Sequence, residues 1–163
     1  MFEHDAAARA AAYRVAEAAP IAADGSIVIS APARTVWAIL NDIDRWSSWQ
    51  PEVSESRLAG PLAAGTSFTW TVGDTVLTSR IAAIDRHRRI AWTGRAMGLT
   101  AIHSWTIEPL GPNRTSVRTV ETMTGFPSSL FYASADLQST NPKWLADLKR
   151  ISEQAGVAAS HPN

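Results

Sequence analysis

Between Phe68 and Met123 apolar and polar side chains alternate with a period of two, and four turns within this stretch agree on which side is apolar. Gly73-Asp74 reads as a two-residue hairpin turn, setting Trp70 opposite Leu77 and Phe68 opposite Ser79. A polar turn over Asp85 to Arg88 sets Ile84 against Arg89 and Ile81 against Trp92. A loop around Met97 and Gly98 sets Trp92 against Trp105 and Ile90 against Ile107. The last turn, Leu110-Gly111-Pro112-Asn113, sets Ile107 against Val117, Trp105 beside Thr119 and His103 beside Glu121. One face then collects Phe68, Trp70, Leu77, Ile81, Ile90, Trp92, Trp105, Ile107 and Val117. The other collects Thr69, Thr71, Thr78, Arg80, Thr93, Arg95, Thr106, Glu108 and Arg118. A slip of one residue would turn every tryptophan to water, so an antiparallel meander with one aromatic face is strongly specified.

Such a face needs a cover, and a helix over Pro142 to Ala155 supplies one, with an earlier helical piece over Ser129 to Leu137 joined to it through a kink or a hinge near Ser139 to Asn141. Trp144, Leu145, Leu148, Ile151 and Ala155 form its apolar stripe, with Lys143, Asp147, Lys149, Arg150 and Glu153 outside it. Asn141 reads as its N-cap, Pro142 as its first residue and Gly156 as its C-terminal cap. Upstream, Ile27-Val28-Ile29 reads as a short strand. A helix follows Ala31-Pro32 on Val36, Ile39, Leu40 and Ile43, and a second short helix or turn carries Trp46 and Trp49 and stops before Pro51. Residues 1–20 are alanine-rich and read as a helical N-terminal extension that docks weakly or joins a partner chain. The domain itself spans 21–156, and 157–163 reads as a disordered tail.

Lysine plus arginine (15) balance aspartate plus glutamate (15), so no net field draws this chain to nucleic acid or an anionic membrane. The basic stretch Arg86-His87-Arg88-Arg89 has no interleaved aromatic residues and reads as a solvated hairpin tip. There is no cysteine, which removes disulfides and thiolate chemistry. Glu3, Asp5, Arg9, Arg14 and Glu17 interrupt any secretory signal and no span is apolar enough to insert in a membrane, which points to the cytoplasm. The histidines His4, His87, His103 and His161 include no metal-binding pair, and no phosphate loop, dinucleotide fingerprint or nucleophile elbow is present. The expectation is therefore no metal and no cofactor.

The informative residues are the polar minority on the aromatic face: Ser79, His103, Thr119 and Glu121. Burying them costs several kcal/mol unless they are paired or reach a cavity. His103 and Glu121, as cross-strand neighbours, are close enough for a hydrogen-bonded ion pair. Three readings stand: a self-satisfied pair that sets register, a polar anchor for a ligand in an apolar pocket, and an acid–base pair. The candidate pocket is lined by Trp49, Phe68, Trp70, Ser79, Ile81, Trp92, His103, Trp105, Thr119, Glu121 and Met123, with His103 and Glu121 the only catalytic candidates. Trp46 and Trp49 read as core or as the gate of such a pocket.

The order of elements, together with Ala31-Pro32 and Val36-Trp37, Asp42 with Trp46 and Trp49-Gln50-Pro51, Ile90-Ala91-Trp92, His103-Ser104-Trp105-Thr106-Ile107-Glu108-Pro109 and Trp144-Leu145, resembles the START/Bet v 1-like (SRPBCC) superfamily, in particular its bacterial polyketide cyclase/dehydrase-like proteins. The likeness covers about residues 25–155. It implies an α+β helix-grip fold, a curved antiparallel sheet wrapped around a long C-terminal helix, with two short helices after the first strand and a deep apolar cavity. The expected function is binding, for transport or sensing, of a small hydrophobic or aromatic molecule. The alternatives are a cyclase/dehydratase-like enzyme and a protein-interaction module, and a homodimer is an open arrangement for such a sheet.

Overall fold

The computed structural model describes residues 21–96, 98–125 and 127–160. Strand β1 (Ile21–Ile29) leads into helix α1 (Ala33–Asn41) and a 3-10 helix (Ile43–Ser48). Strands β2 (Val53–Leu58), β3 (Ser67–Val72), β4 (Thr75–Asp85), β5 (Arg89–Ala96), β6 (Leu99–Gly111) and β7 (Arg114–Gly125) form the meander, and α2 (Pro127–Ser160) closes the chain. The seven strands form one antiparallel sheet in the order β1-β7-β6-β5-β4-β3-β2, so β1 returns to pair with the last strand. Residues 1–20, expected as a helical extension, lie outside the described residues.

The turns explain both the agreement and the differences in register. Val72 pairs with Thr75, Trp70 with Leu77 and Phe68 with Ser79, as a Gly73-Asp74 hairpin requires, and Gly73 takes the positive φ of 56° that this turn demands. At the next tip Ile81 does pair with Trp92. A bulge beyond Ile81 then moves the closure by one residue, so Ile84 meets Ile90 rather than Arg89, and His87 turns the tip at φ 67°. Between β5 and β6 the expected register is two residues out. Ala96 pairs directly with Leu99 across a tight turn containing Gly98 (φ 78°), which places Trp92 against His103 and Ile90 against Trp105. A shift of two preserves the face, so the aromatic side stays intact. The final register, with Ile107 against Val117 and His103 against Glu121, is as expected.

The larger correction concerns the covering helix. It begins at Pro127 rather than Pro142 and continues to Ser160 through Gly156, so Pro142 lies inside it and Asn141 is not its cap. Pro142 is tolerated there because its ring faces solvent, although it removes one helical hydrogen bond. Trp144, Leu145 and Leu148 are buried in one core cluster with Val36, Trp37, Leu40, Ile90, Trp105 and Val117, so the stripe does what its spacing implied. Among the described residues no helix is long and apolar enough to cross a membrane.

One buried hydrogen bond ties the ends of the layout together. The Thr115 hydroxyl, fully buried at the start of β7, donates to the Ala31 carbonyl at 2.7 Å, joining residues 84 apart in sequence where β1 turns into α1. Thr115→Val keeps the shape and orphans the carbonyl, so the unfolding free energy should fall by about 1–3 kcal/mol. A lower urea midpoint with unchanged m would register this, and an unchanged midpoint would rule it out.

Candidate functional site

The aromatic face divides into a packed part and a polar part. Trp46, from the 3-10 helix, is fully buried with its indole N–H donating to the Leu40 carbonyl at 2.8 Å. Its ring lies 5.6 Å from Phe68, 5.6 Å from Trp70, 5.8 Å from Trp92 and 5.1 Å from Trp144, mostly edge to face. Trp49 joins this group through Trp144, at 5.6 Å. The Trp70 indole donates to Ser79 at 3.1 Å, which satisfies one of the four polar residues expected on this face. Phe68, Trp70, Ile81, Trp92 and Trp49 are thus part of an aromatic core centred on Trp46, a residue read from the sequence only as core or gate.

The polar part follows β6 and β7. His103 packs between the rings of Trp92 (4.9 Å) and Trp105 (5.2 Å). Its Nε2 hydrogen-bonds the Thr119 hydroxyl at 2.7 Å, and its Nδ1 is 3.7 Å from Glu121 Oε2. The expected hydrogen-bonded ion pair with Glu121 does not form: Nδ1 faces the carboxyl, but 3.7 Å is too long for a hydrogen bond, while the opposite ring nitrogen, Nε2, is the one bonded to Thr119. Burial also works against the charges. It pushes the Glu121 carboxyl up from 4.5 to about 8 and the His103 imidazole down from 6.5 to about 3. At neutral pH the site therefore holds a carboxylic acid and a neutral imidazole. Met123, half-buried, ends the row on β7.

Two further residues belong to this region. Trp105 is fully buried, and its indole N–H has no hydrogen-bond partner. Asn141 on α2 is 2% exposed with neither side-chain polar atom bonded, and it sits one turn ahead of Trp144, whose ring is 6.4 Å from Trp105. The sequence reading missed Asn141 because Pro142 marked it as a cap. Its signal was the spacing Asn141, Trp144, Leu145, Leu148, which continues the buried stripe back by one turn. Among the described residues no group of three or more His, Asp or Glu side chains is arranged to hold a metal.

A curved antiparallel sheet gripping one long helix, with an aromatic inner face and a few buried polar groups, defines a START-type helix-grip domain, a ligand-binding fold. Over residues 20–152 the chain matches the family described as polyketide cyclase / dehydrase and lipid transport, and it belongs to that family. No curated protein sequence matches it. Solved structures with the same fold include a START superfamily protein from Mycobacterium smegmatis (TM-score 0.69, 16% identity, 82% of this chain and 98% of that one). The Zhui aromatase/cyclase from a Streptomyces species superposes with TM-score 0.70 at 16% identity, covering 82% of this chain and 93% of that one. A Thalictrum norcoclaurine synthase, in complex with a transition state analogue, superposes with TM-score 0.65 at 10% identity, covering 82% and 94%.

Proposed function

We propose that this protein binds a small, uncharged hydrophobic or aromatic molecule between the sheet and α2, oriented by His103, Trp105, Glu121 and Asn141. Of the buried polar atoms left without partners, which also include atoms of Asn41, Trp49, Gln50 and Ser152, the Trp105 indole N–H and the Asn141 amide carry this reading. Each such atom costs about 1–3 kcal/mol when unsatisfied, and a ligand oxygen meeting them would return that energy. The chemistry favours a neutral ligand with a carbonyl or hydroxyl. Glu121 as an acid and Trp105 both offer donors to an oxygen, and no buried cation is present among the described residues to balance an anion.

Native mass spectrometry of the protein as purified, followed by organic extraction, tests whether a molecule is carried. The charge preference is tested with two probes of one shape, 2-naphthol and 2-naphthoate, at pH 7. The naphthol is expected to bind at least about tenfold more tightly, since burying the carboxylate carries a desolvation penalty with no countercharge. Equal affinity would refute the neutral site, and failure of both, with a bare native mass, would refute the carrier reading.

The raised pKa of Glu121 favours one second reading, a cyclase/dehydratase-like reaction. A carboxyl that stays protonated to about pH 8 can donate a proton to a carbonyl or leaving hydroxyl, with the neutral His103 imidazole beside it to orient the substrate. His103→Ala and Glu121→Gln variants that still turn over an identified substrate would exclude it.

A further inference from the structure

Two buried donors lie outside the residues gathered around Glu121. Trp49 caps the 3-10 helix and Gln50 follows it, before the chain enters β2. Gln50 is fully buried and Trp49 is 5% exposed. Gln50 Oε1 accepts the backbone N–H of Glu52 at 2.8 Å. That bond fixes which way the amide faces, because turning it over would set N–H groups against each other, so the atom left without a partner is the donor Nε2. The Trp49 indole N–H is also buried and without a partner. The backbone here is already engaged: the N–H groups of Trp49 and Gln50 both donate to the Trp46 carbonyl, and the Gln50 carbonyl accepts from Val53. Two ties hold the segment to α2, the Arg150 guanidinium donating to the Trp49 carbonyl at 2.9 Å and Lys143 pairing with Glu52 at 2.8 Å. The Trp49 ring meets Trp144 edge to face at 5.6 Å, and Trp105 reaches the same ring at 6.4 Å from β6. Two sets of unmet donors thus approach one indole from different elements.

We propose that Trp49 and Gln50 form a second polar pole of the ligand site, taking a carbonyl oxygen at the end of the ligand remote from Glu121. The inference rests on the ligand-binding reading above and narrows it to a molecule with an oxygen at each end. One indole hydrogen and two amide hydrogens are offered here, while the acceptors of both residues are occupied. A carbonyl oxygen, which only accepts, matches a set that only donates. Burial makes the match selective, since a ligand without that oxygen leaves the donors unmet in a dry place. A carboxylate is not favoured at this pole either. Lys143 and Arg150, the cations beside the segment, already pair with Glu52 and Asp147. Trp49 is then a reader of the ligand as well as a wall of the aromatic core.

Three naphthols that differ at one ring position test this by calorimetric titration of the full chain at pH 7. The ketone 6-acetyl-2-naphthol carries the second oxygen, 6-isopropenyl-2-naphthol replaces it with a methylene in the same shape, and 2-naphthol is the reference. The ketone should bind at least about tenfold more tightly than the alkene. Gln50→Met and Trp49→Phe each remove a donor and keep most of the bulk, and each should cut that ratio to about threefold or less. Trp49→Phe keeps a ring against Trp144 and every backbone bond of the segment, so it carries the test should Gln50→Met fail to fold. Equal affinity for ketone and alkene, with 2-naphthol still bound, would overturn the second pole and leave the ligand-binding reading standing; a buried water that already satisfies both donors gives this result. A ratio that survives both substitutions would place the carbonyl elsewhere and equally overturn it. No binding by any of the three would overturn the second pole, and with a bare native mass the ligand-binding reading as well.

Discussion

Trp46→Ala is expected to lower the unfolding free energy by about 4 kcal/mol, the largest effect of any single substitution in this fold. Removing a fully buried indole costs about 3–5 kcal/mol through lost transfer energy and the cavity left behind. The cavity here could not collapse easily, because Phe68, Trp70, Trp92 and Trp144 all rest against this one ring from different elements. The Leu40 carbonyl would also lose its donor. Domains of this size are stable by about 5–15 kcal/mol, so the variant would retain only part of its margin. Urea unfolding followed by circular dichroism measures this, with Trp46→Phe as a milder control that keeps the ring packing. A loss under about 1 kcal/mol for the alanine variant would show that the aromatic core is not organised around Trp46.

The second large effect is in the dependence of stability on pH. Glu121 has a folded pKa near 8, above its ordinary 4.5, so its contribution is fully present below about pH 4.5 and is lost as pH rises to 8. His103 has a folded pKa near 3, below its ordinary 6.5, so its contribution is fully present above about pH 6.5 and is lost as pH falls to 3. Between about 4.5 and 6.5 the two slopes oppose each other, and stability should be flat. Above 6.5 only Glu121 titrates, and stability should drop by about 2 kcal/mol on the way to pH 8. Glu121→Gln cannot ionise, so it should abolish the alkaline decline and expose the rising limb of His103 between 3 and 6.5. A wild-type profile that stays level from pH 6.5 to 8 would mean that Glu121 is already ionised in the folded protein.

The sheet was legible in the sequence because its constraints overlap. Alternation fixes faces, the Gly73-Asp74 and Pro112-Asn113 turns fix pairs, and errors of two residues, as at Trp92, leave the faces unchanged. What was not legible depended on a single local signal that tertiary packing overrides. Pro142 reads as a helix start in isolation, but in the folded chain its ring faces solvent while Asn141 and Trp144 on either side are held against the core, so the helix runs through it. The bulge beyond Ile81 has no signature in residue type, since Ala82 and Ala83 fit either face. At the site, the pairing of His103 with Glu121 could be read from register, whereas the hydrogen bond between the ring's other nitrogen and Thr119 could not. Register places both side chains beside the ring, and only the actual distances show that Nε2 bonds Thr119 while Nδ1 stays 3.7 Å from Glu121.

The order in which the layers are written along the chain has a cost during synthesis. Strands β2 to β7 and their tryptophans leave the ribosome before the α2 stripe that covers them, and β1 waits through the 84 residues from 30 to 113 for its partner β7. Local hairpins can close early, but the face holding Phe68, Trp92 and Trp105 stays uncovered until Trp144 to Leu148 emerge. A nascent chain of this design presents a sticky aromatic sheet from the synthesis of Phe68 until that of Trp144, and that interval is where it is most exposed to misassociation.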